Sequence, residues 1–115
     1  MEKEKKKTVF VSVPMRGRTQ VEIFRDFKRA ATKLASKGHS VSGGQIVLPD
    51  MFADLLKEDG VVNESVFFLG LAVEDISYAN AVYFCKGWEK APGCRVEHKI
   101  AEEYGIEILY EEEGM

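Results

Sequence analysis

Blocks of apolar and polar residues divide this chain into segments with different periods. The run from Thr8 to Val13 is β-branched and almost continuously apolar, which is typical of a strand covered on both faces of a parallel sheet. Pro14 ends the run, and Met15 to Arg18 is expected to form a loop. The first segment therefore predicts a buried strand followed by a loop.

The next segment has the spacing of an amphipathic helix. Thr19, as the N-cap residue, and Glu22, three positions later, form the sequence signature of a capping box. Gly38 is expected to end this helix because glycine favours the backbone conformation that follows a helix C-terminus. One apolar face is expected from residues at helical spacing, namely Val21, Phe24, Phe27, Ala31 and Leu34.

The pattern is weaker in the middle of the chain. Residues 40–42 are expected to form a short strand that Gly43 and Gly44 interrupt, and residues 45–50 an irregular loop. A short helix is expected over residues 51–57.

A regular pattern returns after this region. A helix is expected over residues 63–79, a strand over 81–85, a helix over 93–104 and a final strand over 106–110. The core candidates of the helix over residues 63–79 are Val66, Phe67, Leu71 and Tyr78.

The resulting order of strands and helices predicts the fold class. Alternating strands and helices with right-handed crossovers give a small parallel sheet, here of four to five strands, between layers of helices. We therefore expect a flavodoxin-like or Rossmann-like three-layer α/β fold. The length of 115 residues suits a single domain over residues 1–115.

Composition narrows the expected partners and location. The formal net charge is −3, so neither a nucleic acid polymer nor an anionic membrane is an expected partner. Two cysteines are too few for a disulfide framework, and Cys85 in its apolar strand is expected to be a reduced, buried thiol. No membrane span or signal peptide is evident, which predicts a cytoplasmic protein. No metal or cofactor is expected.

The segment from Gly87 to Ala101 carries the most informative chemistry. It follows a strand-like run and combines a glycine-bearing loop with the start of a helix, which is the usual place for an anionic ligand in an α/β protein. Glu97 is expected at the exposed rim of that crevice, where a nucleophile or general base is useful. The alternative is that Glu97 only interacts with the positive end of its helix.

Three groups are expected to meet beyond the carboxyl ends of the strands: the loop over residues 15–18, Asp75, and the turn over residues 87–97. Each has a simpler interpretation. The loop can be an exposed turn, Asp75 a surface carboxylate, and Trp88 a side chain that covers the end of the sheet.

Together these segments resemble the nucleoside 2-deoxyribosyltransferase-like superfamily, and most closely its branch known as the DUF4406 proteins. The resemblance covers nearly the whole chain. It rests on Phe10 to Gly17, on residues 74–76 and 79–83, and on Gly87 to Glu97 followed by Ala101.

The resemblance implies cleavage or transfer at the N-glycosidic bond of a (deoxy)nucleoside or its 5′-monophosphate. Glu97 would be the nucleophile that forms a glycosyl-enzyme intermediate, and Asp75 the second acid, placed near the departing base. The residues that the resemblance assigns to substrate or phosphate binding are Ser12, Pro14, Met15, Arg16, Gly17, Arg18, Trp88 and Gly93.

Two positions depart from the family pattern: Ala91 stands where relatives carry serine or aspartate, and Asn80 where they usually carry aspartate. The alternative function is therefore a non-catalytic module that binds or sequesters a nucleotide, and a third possibility is a structural protein. The resemblance also implies a homo-oligomer. The segment over residues 43–63 is interpreted as a lid or a partner surface.

Overall fold

The sheet is parallel throughout. The computed structural model describes residues 6–43 and 50–111. Its four strands are β1 (Thr8–Ser12), β2 (Ser40–Gly43), β3 (Ala81–Phe84) and β4 (Glu107–Tyr110). Their order is β2-β1-β3-β4, and each neighbouring pair is parallel. The predicted parallel α/β fold is confirmed.

The described residues also form four helices that connect these strands: α1 (Gln20–Ser36), α2 (Asp50–Glu58), α3 (Glu64–Ile76) and α4 (Pro92–Glu103). A single 3₁₀ turn, Trp88–Lys90, precedes α4. The loop predicted over residues 45–50 lies outside the described residues except for Asp50, which begins α2. Within residues 6–43 and 50–111, no helix has the length and apolarity needed to cross a bilayer.

Local hydrogen bonds fix both ends of α1. Thr19 Oγ1 accepts a hydrogen bond from the Glu22 amide at 3.1 Å, and Glu22 Oε1 accepts one from the Thr19 amide at 2.8 Å. At the other end, Gly38 has φ +89°, and the His39 amide donates to the Leu34 carbonyl at 3.2 Å. The predicted capping box and glycine stop are both confirmed.

Helices cover both faces of the sheet, which gives three layers. On one face, α1 packs through Ile23, Ala30 and Leu34. On the other face, α3 packs through Ala72 and Ile76, and α4 through Cys94 and Ala101. The strand residues between these layers are apolar on both sides, as expected for a parallel sheet.

The predicted apolar face of α1 was partly wrong. Leu34 is buried and Phe27 packs against the core, but Phe24 is 61% exposed and Val21 is also exposed. The residues that face the sheet are spaced at 23, 27, 30 and 34. The predicted residues and the residues that face the sheet both fit a helical period, and only packing against the sheet decides which of them are buried.

The predicted core residues of α3 were wrong. Val66, Phe67, Leu71 and Tyr78 are all exposed, whereas Ala72 and Ile76 are buried. Because α3 is apolar around most of its circumference, its sequence does not define which side faces the sheet. Small side chains such as Ala72 allow the helix to approach the strands closely.

Candidate functional site

A cavity of about 530 Å³ opens where β1 ends and three helices begin. The first residues of α1, α3 and α4 line it, represented by Gln20, Glu64 and Pro92. Helices that pack antiparallel to parallel strands start near the carboxyl ends of those strands, so this edge collects helix N-termini. The cavity lies at the edge that the sequence predicted for a ligand.

Glu97 lies in the wall of this cavity. It is 8% exposed, and its Oε1 accepts a hydrogen bond from Ser12 Oγ at 2.5 Å. The prediction that Glu97 is an exposed rim carboxylate was therefore wrong. The buried stripe of α4 contains Cys94, Glu97 and Ala101, so the carboxyl group sits within the packed face rather than beside it.

Burial changes the ionisation of this carboxyl group. Removal from water raises the pKa of Glu97 to about 7, although the hydrogen bond from Ser12 acts in the opposite direction. Near neutral pH, the protonated and ionised forms of Glu97 are consequently both populated. A carboxyl group with such a shifted pKa in a cavity is typical of a functional site.

Cys94 is a neighbour that the sequence did not predict. Its Sγ lies 3.1 Å from Ser12 Oγ, so Ser12 contacts both Cys94 and Glu97 across the gap between β1 and α4. Burial raises the pKa of the Cys94 thiol to about 11, so it remains protonated at neutral pH. The sequence could have indicated this neighbour, because Cys94 lies three residues before Glu97 on a helix and residues at this spacing share a face.

The N-terminus of α4 faces the same cavity. Ala91 occupies the N-cap position and has no side-chain oxygen to accept from the first amides, while Pro92 and Gly93 line the cavity beside it. The amides of the first helical turn have no partner within the helix, and together with the helix dipole they attract anions. An anionic group of a ligand would fit here.

Arg18, one of the two loop arginines, is already paired. Arg18 Nη1 donates to the Pro14 carbonyl at 3.1 Å and lies 2.6 Å from Asp26 Oδ2. Asp26 also pairs with Arg29, which binds Glu111 through two hydrogen bonds of 2.7 and 3.1 Å. Arg18 lines the cavity, but Asp26 compensates much of its charge.

Arg16 lines the cavity in a different electrostatic situation. It has no ion-pair partner among residues 6–43 and 50–111. Met15 also lines the cavity, whereas Pro14 and Gly17 hold the loop and are not among its lining residues. Gly17 has φ +73°, so this turn needs the freedom of glycine.

Asp75 is not brought to the cavity, which corrects its predicted placement beside Glu97. It is exposed in the last turn of α3, eleven residues beyond Glu64, or about 16 Å along the helix axis at the usual rise per residue. Because α3 leads directly into β3, its C-terminus lies near the amino edge of the sheet. Topology alone places this carboxylate at the wrong end.

Trp88 also lies apart from the cavity lining. Its ring stacks on His98 with centroids 4.1 Å apart and packs against Phe84 and Tyr110 at the ends of their strands. Its position matches the simpler interpretation, in which Trp88 covers the end of the sheet.

Glu64 is a second carboxyl group that the sequence analysis missed. It is half-buried at the start of α3 and lines the cavity together with Ser65. The sequence could have indicated Glu64, because it follows Asn63, which caps this helix. A helix that precedes a parallel strand begins at the edge where α/β proteins usually bind ligands. Phe68 and Leu69 continue the lining with an apolar surface. Among the described residues, no group of three or more metal-ligating side chains is gathered.

Comparisons with known proteins give a family but no activity. The chain is 33% identical to the 5-methylorsellinic acid synthase of Aspergillus terreus over 82 residues. The match covers 66% of this chain but only 3% of the synthase. No solved structure gives a significant match. The model of the family described as "Domain of unknown function (DUF4406)" matches residues 7–110. The chain therefore belongs to the DUF4406 family.

Proposed function

We propose that this protein cleaves or transfers at the N-glycosidic bond of a (deoxy)nucleoside or its 5′-monophosphate, with Glu97 as the nucleophile. The observation that carries the proposal is a buried carboxyl group in a cavity wall, whose Oε1 accepts a hydrogen bond from Ser12 at 2.5 Å. Burial raises the pKa of this group to about 7. The cavity volume of about 530 Å³ is in the range usual for small-molecule sites.

The proposed chemistry uses the Glu97 carboxylate as the nucleophile and a second acid as the proton donor to the leaving base. An oxygen of ionised Glu97 attacks the anomeric carbon, and the bond from that carbon to the base nitrogen breaks with its electron pair leaving on the base. The base takes up a proton, and the sugar remains as an ester of Glu97. Water or a second base then attacks the same carbon and gives its proton to the deprotonated second acid, while the bond from that carbon to the Glu97 oxygen breaks and its electron pair returns to the carboxylate. With water the protein is a hydrolase, and with a second base it is a transferase.

The proton for the departing base needs a second acid, and the resemblance had assigned that role to Asp75. Because Asp75 is remote from the cavity, Glu64 takes its place in the proposal as the other carboxyl group among the described lining residues. The apolar side chains of Phe68 and Leu69, next to Glu64, suit the flat face of a base.

The anionic end of the substrate is assigned to the part of the lining formed by the loop after β1 and the start of α4. The N-terminus of α4 favours negative charge there, and so does Arg16, which has no ion-pair partner among the described residues. We therefore propose that a 5′-monophosphate binds with its phosphate near Arg16 and Gly93.

Base release tests the proposal directly. The pure protein is incubated with a panel of nucleosides and 5′-monophosphates, and free base is measured by chromatography. The wild type is expected to release base from at least one substrate, and Glu97→Gln to lose that activity. Glu103→Gln is the matched control because Glu103 is exposed on the same helix, and it is expected to retain activity.

A covalent trap adds a second readout. A substrate analogue with fluorine at the 2-position of the sugar slows breakdown of the ester, so the labelled peptide can be found by mass spectrometry. The label is expected on Glu97 alone. Undiminished base release by Glu97→Gln, or a label elsewhere, contradicts the mechanism.

One observation favours the alternative of a non-catalytic nucleotide-binding module. The N-cap of α4 is Ala91 and the expected acid Asp75 is absent from the cavity, while the features that hold an anion are retained. Under this alternative, calorimetry detects binding of a monophosphate but no substrate of the panel releases base. Both free cysteines are buried, and we propose a reducing, cytoplasmic setting for either function.

A further inference from the structure

We propose that Ser12 and Cys94 form a reversible hydrogen-bond chain that keeps the Glu97 carboxyl group paired in both its protonated and its ionised form. Ser12 is then a positioning residue for Glu97, and Cys94 acts through Ser12. The use of this arrangement in catalysis rests on the function proposed above, whereas the existence of the hydrogen-bond chain does not.

Counting protons shows how the chain works. Ser12 Oγ lies 2.5 Å from Glu97 Oε1 and 3.1 Å from Cys94 Sγ, yet a hydroxyl group carries only one proton. When Glu97 is ionised, the Ser12 hydroxyl must donate to the carboxylate, so the Cys94 thiol donates to Ser12. When Glu97 is protonated, its own O–H can donate to Ser12, and Ser12 then donates to the Cys94 sulfur. Only hydroxyl and thiol rotations separate the two arrangements.

Cys94 makes this reversal possible because it keeps its proton. Burial raises the pKa of its thiol to about 11, so the group can donate or accept throughout the range in which Glu97 titrates. Without Cys94, the Ser12 hydroxyl would lose its acceptor when protonated Glu97 donates to it, and an unsatisfied buried polar group is costly. Ser12 and Cys94 together avoid that cost.

The chain also selects one oxygen of Glu97. Oε1 is bound to Ser12, whereas Oε2 has no hydrogen-bond partner among the described residues and is not fully buried. Since Glu97 lines the cavity, Oε2 is the oxygen left for a ligand. The other charged groups in the lining are Arg16 and Arg18 from the loop after β1 and Glu64 from α3.

Titration of Glu97 in the ligand-free protein tests the chain without relying on activity. Glutamate side chains are labelled with ¹³C, and the Glu97 carboxyl resonance is identified by its loss in Glu97→Gln. Its midpoint is expected near pH 7 in the wild type. Ser12→Ala is expected to raise the midpoint by about one to two pH units, since it removes the hydrogen bond that favours the ionised form.

The Cys94 variants distinguish an effect of the hydrogen-bond chain on the Glu97 midpoint from an effect of altered packing. Cys94→Ala is expected to raise the midpoint by less than about one pH unit, because a neutral hydrogen bond is weaker. Cys94→Ser retains a donor and an acceptor and is expected to stay close to the wild type. Ser42→Ala is the matched control. The Ser42 hydroxyl oxygen, on the neighbouring strand β2, is buried and has no hydrogen-bond partner among the described residues, so the Glu97 midpoint is expected not to move.

An unchanged midpoint in Ser12→Ala overturns the proposal. If Ser12→Ala does not fold, the Cys94 pair decides: equal midpoints in Cys94→Ala and Cys94→Ser overturn it. Failure of the proposed function looks different, because the midpoints still shift while no substrate releases base. If base is released, the pH profile of kcat/KM is expected to move with the midpoint.

Discussion

At the residue scale, Glu97 makes the free energy of unfolding depend on pH. Its pKa is about 7 in the folded chain and near 4.5 when unfolded, so the unfolded state loses its proton first as pH rises. The contribution of Glu97 to the free energy of unfolding is therefore highest below pH 4.5, falls between pH 4.5 and 7, and is constant above pH 7. The difference corresponds to about 3 kcal/mol.

Glu97→Gln is therefore expected to be more stable than the wild type above pH 7, by up to about 3 kcal/mol, and similar near pH 4.5. The amide oxygen of glutamine can still accept from Ser12. Urea unfolding at pH 4.5 and pH 8 measures the difference, with Glu103→Gln as the exposed control. Equal stability differences at the two pH values contradict the burial of Glu97.

The two loop arginines are expected to differ in their effect on phosphate binding. Arg18 is compensated by Asp26, whereas Arg16 faces the cavity without an ion-pair partner among the described residues. Arg16→Ala is expected to lower the affinity for a 5′-monophosphate by about tenfold or more, since a charge-assisted hydrogen bond contributes about 1.5–3 kcal/mol to binding. Arg18→Ala is expected to have the smaller effect.

Calorimetric titration of a nucleoside and its monophosphate measures this preference. Arg25→Ala is the control because Arg25 is exposed on α1 and is not among the cavity-lining residues. Equal affinity of the wild type for the two ligands would remove the phosphate site from the proposal.

At the element scale, the end of β2 depends on a glycine. Gly43 has φ +98°, and a Cβ atom there would lie 2.5 Å from the Val11 carbonyl oxygen on the neighbouring strand. Two costs are therefore combined, the backbone conformation and the collision. The close pairing of β1 with β2 requires the absence of a side chain at this position.

Gly43→Ala is expected to destabilise the protein more than Gly60→Ala. Gly60 has a similar φ of +93°, but a Cβ there would have no atom of the described residues within 4 Å, so its substitution measures the backbone cost alone. The collision is expected to add about 1–3 kcal/mol. Thermal unfolding compares the two variants, and equal losses would mean that β2 can move away from β1 freely.

At the scale of the whole molecule, the exposed apolar face of α3 favours self-association. Val66 is 60% exposed, and Phe67 and Leu71 are also exposed on this helix. The same helix lines the cavity through Phe68 and Leu69, so a second copy bound to this face would lie close to the site. We propose that the protein is a dimer or a larger homo-oligomer that uses this face.

Leu71→Arg is expected to shift the oligomer to monomer, because a charge opposes burial of the face. Light scattering at micromolar concentration measures the mass. Val21→Arg is the control, since Val21 is an exposed apolar residue on α1. A wild-type monomer with full activity would contradict the proposed oligomer.

Local sequence patterns were enough to predict the strands, the helices and their parallel arrangement. Caps such as Thr19 with Glu22, and the stop at Gly38, depend on hydrogen bonds between residues at most a few positions apart, so they can be read locally. The edge of the sheet that carries the cavity was also predicted, because the topology of a parallel sheet fixes the edge at which the helices begin.

The tertiary structure alone decided which side chains meet at that edge. Ser12 and Glu97 are 85 residues apart, and their contact requires β1 and α4 to pack in one particular register. Helical periodicity allowed more than one face for α1 and α3, and only packing against the sheet selected one. For the same reason Glu97 is buried and Arg18 is compensated by Asp26. Asp75 is a different case, because its distance from the cavity follows from its place at the C-terminus of α3, in a topology that the sequence already predicted.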